Sequence, residues 1–355
     1  MAPDGAPAAP GAAAGSVPGT VLVMGAGAIG CHLGGRLQAA GVAVRFVGRP
    51  RVLDALRVHG LTLTDLDGSR VSLPPSSLDL SLDLGPRLST VSAPSLVLLC
   101  VKSGATAEAA RGLAAALPSR TLVLSMQNGV SNAGLAQAEA PTLRVLPGMV
   151  PYNVAELGPG RFHRGSAGTL AAQDDPALRP WLPAFAGAGL PLTLHADLSA
   201  IQWGKLLLNL NNPVNALSGL PLRAQLLNRD CRRCTAALIE EALTVLQAAG
   251  IAPAQVGAVA PTWLPALLRL PTPLFRRVAA RMLRIDEKAR SSMADDRALG
   301  RPTEIDALCG EVVRLAVASQ RLAPRNARMA TLLKSRPTDS GPISGAHLLR
   351  LLLAG

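Results

Sequence analysis

The stretch Val21-Leu22-Val23-Met24-Gly25-Ala26-Gly27-Ala28-Ile29-Gly30 decides the fold. Four aliphatic residues read as a buried strand, and the glycines that follow open a helix. Gly25 permits the tight turn, Gly27 lets backbone approach a pyrophosphate, and Gly30 allows the helix to pack closely on the strand. Free amides at the helix N-terminus would then hold the phosphates. A lone GxGxxG can be an ordinary glycine-rich turn, but here a strand precedes it and a helix follows. Gly25, Ala26, Gly27, Ala28, Ile29 and Gly30 are therefore the first candidate cofactor contacts.

Outward from this point, short aliphatic runs alternate with Ala/Leu-rich stretches as far as about His195: AVRFVG, SLVLLCVK, TLVLSMQ and LRVLP. That rhythm predicts a mostly parallel sheet covered by helices. Gly60 to Leu73 reads as a small hairpin, because Asp67-Gly68 interrupts two alternating segments. Met149 to Ala172 is rich in turn residues and reads as irregular or antiparallel strands closing the first domain. From Leu198 onward, leucine and alanine recur at helical spacing, notably from Cys231 to Ala249 and from Glu304 to Gln320. Prolines between Ala252 and Pro273 restrict that segment to loop or short helices. The expected organisation is a disordered Ala/Pro/Gly leader over 1–18, an α/β Rossmann-type dinucleotide-binding domain over 19–197, and an all-α domain over 198–355.

Composition narrows the class. A chain of 355 residues exceeds one hydrophobic core, which favours two domains. The net charge of +12 comes from arginines spread along the chain, and only eight aromatic residues are available for stacking, so a nucleic-acid surface is not expected. A positive field would instead help capture an anionic cofactor and substrate. No apolar run approaches the roughly 18 residues of a membrane span, and the leader lacks the pattern of a secretory signal. Five scattered cysteines argue for a reducing compartment, hence a cytoplasmic protein. Cys231 and Cys234 form a CxxC without a second ligand pair, the histidines are dispersed, and no metal site is expected.

Two further strand ends carry candidates. At the second strand an NAD enzyme would place an acid on the ribose 2′-hydroxyl; the chain reads Val47-Gly48-Arg49-Pro50-Arg51 instead. Arg49 is placed to pair with a 2′-phosphate through its planar fork, which points to NADPH, although in so arginine-rich a protein it can also be a surface arginine. Lys102 follows SLVLLCV at the end of another strand, where open α/β sheets bind ligands, and it is one of only four lysines. Asn128-Gly129 ends the next strand, where the amide could reach nicotinamide, ribose or substrate, or simply make a turn.

The segment Trp203-Gly204-Lys205-Leu206-Leu207-Leu208-Asn209-Leu210-Asn211-Asn212-Pro213 carries the candidate chemistry. On one helix Lys205, Asn209 and Asn212 fall at i, i+4 and i+7, within roughly 60° of each other. The stripe can face solvent like that of any amphipathic helix, but asparagine is a poor helix former there. Facing a cleft, the lysine can serve as proton donor, since a partly dry site lowers its pKa toward neutrality. Further on, Pro302-Thr303-Glu304 predicts a helix start, with Ile305, Leu308, Val312 and Leu315 as the buried stripe. On that helix Glu304 lies at the stripe's edge and Asp306 faces water; Glu304 can be a ligand group or an N-terminal dipole acid.

Together GAGAIG, the GR after the second strand, VK, QNG, WGKLLLN and SSMADDRALGRPTEID resemble the ketopantoate reductase family from Val21 to about Gln320. The resemblance implies NADPH-dependent reduction of 2-dehydropantoate to pantoate in pantothenate biosynthesis, with the active site between the domains. It implies that Lys205 is the general acid, that Glu304 and Ser292 contact substrate, and that Asn209 and Asn212 line the site. It further implies that Asn128 lies between cofactor and substrate, and that Arg49 and Lys102 bind the 2′-phosphate. The expected partner is a small 2-keto acid, and a homodimer is compatible with this reading. Family members acting on ketopantoate often carry further asparagines, which align here with Leu222 and Ala289. Another 2-keto acid, a related carbonyl or imine, or a catalytically silent NADPH sensor are the alternatives.

Overall fold

A computed structural model describes residues 19–84, 93–280, 282–283, 287 and 289–354 of the chain. The leader over 1–18 lies outside them. Strand β1 (Val21–Met24) runs beside β2 (Val44–Val47), and the hairpin read between Gly60 and Leu73 is β3 (Leu61–Thr64) with β4 (Arg70–Leu73). Next come β5 (Asp79–Ser81), β6 (Leu96–Leu99), β7 (Leu122–Ser125) and β8 (Arg144–Met149). The segment expected to close this half supplies β9 (Val154–Gly158), β10 (Arg161–Arg164) and β11 (Leu170–Gln173), followed by β12 (Leu192–His195).

Eight strands form one sheet in the order β12-β11-β8-β7-β6-β1-β2-β5; the other four form a smaller one, β4-β3-β10-β9. Every pairing in the large sheet is parallel except β11 with β8. Leu22, Val23, Leu96–Leu99 and Leu122–Leu124 are buried, which is why these strands read as unbroken aliphatic runs: helices cover both faces. The chain leaves β1 for β2 on one side and returns to β6 on the other. That reversal opens a crevice at the C-terminal strand ends, where doubly wound sheets take ligands.

From Leu198 onward every regular element among the described residues is helical. The core of this part is built on the helix Arg229–Ala248, against which Leu264, Leu268, Phe275, Leu333 and Leu348 pack. The proline-dense segment provides one 3-10 turn, Pro261–Trp263, and the short helices Leu264–Arg269 and Thr272–Val278. No described helix is long and apolar enough to cross a membrane. All five cysteines are free.

Two expectations need correction. The polar stripe does not lie on one uninterrupted helix: Leu198–Asn209 and Asn211–Ser218 meet at Leu210. The segment from Glu304 is also not continuously helical. Ile305–Ala307 is a 3-10 turn, Leu308 takes φ −115° and ψ −89°, and the α-helix starts only at Cys309. Ile305, Leu308 and Val312 are nevertheless buried, so the apolar spacing reported burial correctly while the backbone satisfied it another way.

The proline-dense segment also steadies the helix that carries Lys205. Ala254 donates its amide to the carbonyl of Ala200 at 2.8 Å, and a Cβ on Gly204 would lie 2.1 Å from the Ala254 carbonyl oxygen. Backbone opposes backbone there, so neither side can swing away. Gly204→Ala is expected to destabilise the protein by about 2 kcal/mol through overpacking, read as a lower urea midpoint. An unchanged midpoint would show that the contact yields freely.

Candidate active site

The fingerprint loop closes the base of the crevice. Gly25 takes φ +109°, and a Cβ there would meet the Val101 amide nitrogen at 2.6 Å. A Cβ on Gly30 would stand 2.2 Å from the Gly25 carbonyl oxygen, whereas nothing lies within 4 Å of the corresponding position on Gly27. Turn, helix packing and open approach thus fall on the three glycines as their spacing suggests. The amides of Gly25 and Ala26 bond the Val47 carbonyl, and no side chain caps the helix Ala28–Ala39. Its first-turn amides, on Ala28, Ile29 and Gly30, therefore have no intrahelical partner and suit an anion.

Arg49 sits just beyond β2 as the residue that starts the helix Pro50–His59, exposed and without an ion pair among the described residues. Its neighbour Arg51 is engaged: it grips both oxygens of Glu156 at 2.6 and 2.9 Å, and this pairing holds the Glu156 carboxyl below the usual range. Arg301 approaches the same carboxylate at 3.6 Å.

Across the crevice the helical part presents the other candidates apart from Asn128, which the loop after β7 carries. Asn128, Asn209, Asn212, Ser292, Asp296 and Glu304 line one narrow cleft, with Met293 and Leu308 as its apolar members. The free space is about 10 Å³, room for a single water. Lys205 abuts this lining rather than forming it. Its ammonium donates to Asn128 Oδ1 at 2.8 Å and to the Val150 carbonyl. Asn128 Nδ2 in turn donates to Glu304 Oε2 at 3.0 Å. A lysine can only donate and a carboxylate can only accept, so its two neighbours fix which way the Asn128 amide points.

Glu304 is anchored on its second oxygen by Ser103, through the hydroxyl at 2.9 Å and the amide at 3.3 Å. The loop bearing Asn128 is held from behind by Gln127, which donates to the Val101 carbonyl at 2.9 Å and to Thr106 Oγ1 at 2.7 Å. Burial depresses the Lys205 ammonium to about 8, with the Glu304 charge opposing the shift. The residue as a whole is half-buried, but its ammonium is engaged by Asn128 and the Val150 carbonyl. Such an amine is charged at neutral pH and gives up its proton readily.

Lys102 stands at the end of β6, but its ammonium bonds Asp296 Oδ2 at 2.7 Å and lies 3.9 Å from Glu304 Oε2. It therefore joins the carboxylate cluster. Asp296 was not among the candidates, although it falls four residues after Ser292 and so on the same face of the helix Ser292–Ala298. Ser103 was missed too; nothing local marks a serine that meets a carboxylate 201 positions away. Asp306 is exposed and pairs with Lys334 at 2.6 Å, as its position opposite the apolar stripe suggests. Among the described residues no group of three or more His, Cys, Asp or Glu could hold a metal ion.

A doubly wound sheet with a glycine fingerprint at its switch point, facing a lysine and two carboxylates on a helical part, defines a two-part dinucleotide-fold oxidoreductase. The family model "Ketopantoate reductase PanE/ApbA" matches residues 21–176, and its C-terminal counterpart matches residues 197–336. The chain belongs to the ketopantoate reductase family. It is 28% identical over 327 residues to a 2-dehydropantoate 2-reductase of Halobacterium salinarum, covering 90% of this chain and 99% of the relative. A second such reductase, from Mesorhizobium japonicum, is 26% identical over 349 residues, covering 90% of this chain and 98% of the relative. Among solved structures, a PanE/ApbA family ketopantoate reductase from Ralstonia eutropha superposes with TM-score 0.74 at 29% identity, covering 89% of this chain and 97% of that one. A D-mandelate dehydrogenase with NADH and anilino(oxo)acetate shares the fold at TM-score 0.72 and 17% identity, again covering 89% of this chain and 97% of that one.

Proposed function

We propose that the chain reduces the keto group of a small 2-keto acid with NADPH, 2-dehydropantoate being the first candidate substrate. The observation that carries this reading is the enclosed Lys205 ammonium, held by Asn128 and depressed to about 8. The nicotinamide cofactor, when bound, supplies a hydride to the keto carbon. Negative charge then develops on the carbonyl oxygen, and Lys205 both neutralises it and delivers the proton. Asn128 orients the ammonium and passes the influence of Glu304 to it. Glu304, Ser292, Asn209 and Asn212 are the groups available to substrate hydroxyl and carboxylate. The cleft as it stands has room for a water only, so admitting a keto acid requires its walls to part.

On the cofactor side the glycine loop and the amides of Ala28, Ile29 and Gly30 take the pyrophosphate, and Arg49 takes the 2′-phosphate. Lys102 can join Arg49 only if its bond to Asp296 opens. Similarity along almost the whole chain to two 2-dehydropantoate 2-reductases favours 2-dehydropantoate as substrate.

A second reading, a broader preference among 2-keto acids, is favoured by one observation. Leu222 and Ala289, where asparagines would be expected in a dedicated ketopantoate enzyme, are direct neighbours: the Leu222 amide donates to the Ala289 carbonyl at 2.8 Å. Neither apolar side chain can make the hydrogen bonds that an asparagine at its position would offer. The test is NADPH oxidation over a panel of 2-keto acids. The kcat/KM for ketopantoate should exceed that for simple branched 2-keto acids by less than a thousandfold, about 4 kcal/mol. A larger ratio would show that other residues supply selectivity, and no turnover of any 2-keto acid would overturn the assignment.

A further inference from the structure

We propose that the helical part carries a second ligand site, for a short aliphatic monocarboxylate, between the helix Arg229–Ala248 and the tail helix Gly345–Leu353. It shares no residue with the keto-acid cleft, and the matched family region ends at residue 336, before the tail helix begins. A cavity of about 190 Å³ opens there, with a rim of Arg233, Arg269 and Arg325 and a floor of Ala237, Leu349 and Leu353. A dry apolar cavity of about 150 Å³ accepts benzene, so this one has room for a carboxylate with a chain of five or six carbons.

Among the described residues the rim is short of negative charge. Glu240 alone serves two of the arginines: it takes Arg269 at 2.9 and 2.6 Å and Arg325 at 3.4 Å. Among the described residues Arg233 pairs with Asp230 alone, at 3.5 Å, one turn away on the same helix. Among the described residues these three guanidiniums thus share two carboxylates. The other nearby acid, Glu241, is taken up by the amides of Arg325 and Asn326 at the start of the helix Pro324–Ser335. Arg233, whose ion pair is one 3.5 Å contact, is therefore the most loosely held of the three forks and the one placed to take a ligand carboxylate.

The floor is apolar and fixed. Leu348 and Leu352 anchor the tail helix in the core, Ser344 caps its first turn at the His347 amide, and Arg328 donates to the Leu352 carbonyl at 2.8 Å. Leu353, by contrast, is 45% exposed at the cavity edge, where an aliphatic chain would cover it. A cationic rim over an apolar floor selects a ligand with both parts; a bare anion would leave the leucines wet, and an alcohol would leave Arg233 unpaired.

The full-length chain is titrated by calorimetry with hexanoate, 1-hexanol and inorganic phosphate. Hexanoate should bind at least tenfold more tightly than either of the others. Arg233→Ala and Leu353→Asp, both at partly exposed positions, should each weaken hexanoate at least tenfold while kcat and KM for the keto acid stay unchanged. Lys205→Ala, in the other site, should leave hexanoate affinity as it was. Absence of hexanoate binding overturns the proposal, as does binding that survives both tail-site variants, that Lys205→Ala abolishes, or that phosphate matches.

Discussion

Lys205→Ala should lower kcat for keto-acid reduction by two orders of magnitude or more, about 3 kcal/mol, while NADPH affinity stays nearly unchanged. The reason is where the ammonium lies. It touches Asn128 and Val150, away from the glycine loop and Arg49 that would hold the cofactor's phosphates, so its removal spares ground-state cofactor binding. What disappears is an interaction that strengthens as charge develops on the carbonyl oxygen. The pH dependence follows from the sign of the shift. With its pKa lowered to about 8, Lys205 is protonated below that value, so kcat/KM for reduction should be level near neutrality and fall above about 8. Oxidation of the hydroxy acid needs the neutral amine and should rise through the same range. The Glu304 charge opposes the depression, so Glu304→Gln should move the falling limb to lower pH. Stopped-flow NADPH oxidation against pH reads both effects. Near-normal kcat in a folded Lys205→Ala protein would mean that the polar stripe is structural.

The parts of this site that were legible in the sequence are those set by neighbours along the chain. The fingerprint is contiguous, and its turn, its open approach and its close packing each need a glycine at a fixed offset; the structure assigns those needs to Gly25, Gly27 and Gly30 in turn. The polar stripe was legible through helical spacing, but the joint at Leu210 was not, because every residue around it is compatible with helix. At Glu304 local signals misled. Pro302 followed by Thr303 and Glu304 has the chemistry of a helix start, yet the chain spends one 3-10 turn and the irregular break at Leu308 before the helix begins. That detour leaves Glu304 facing Asn128 and Ser103 instead of capping a helix. The Lys102–Asp296 bond joins residues 194 positions apart, and no local pattern announces such a pairing. The short strands β5 and β12 sit at the two edges of the large sheet, where alternation is brief and burial weak, and they carried little signal.

Arg49→Asp should cut kcat/KM with NADPH by about a hundredfold or more while changing kcat/KM with NADH far less, measured by initial rates with each cofactor. The expected size follows from the strength of a guanidinium–phosphate bond. Such a charge-assisted bond contributes roughly 1.5–3 kcal/mol, and reversing the charge adds repulsion to its removal. NADH has no 2′-phosphate, and an aspartate at this strand end can accept from its ribose hydroxyl. The neighbouring arginine provides an internal control. Arg51 lies two residues on, but both of its terminal nitrogens are committed to Glu156, whereas Arg49 has no ion pair among the described residues. Arg51→Ala should therefore loosen the attachment to the small sheet and leave the ratio of NADPH to NADH efficiency close to that of the unmodified protein. Equal use of NADPH and NADH by the unmodified protein would remove the basis for assigning Arg49. If Arg51→Ala shifts the cofactor ratio as strongly as Arg49→Asp, the 2′-phosphate is held by the general positive field of this surface, and the single free fork beyond β2 has no special part in cofactor choice.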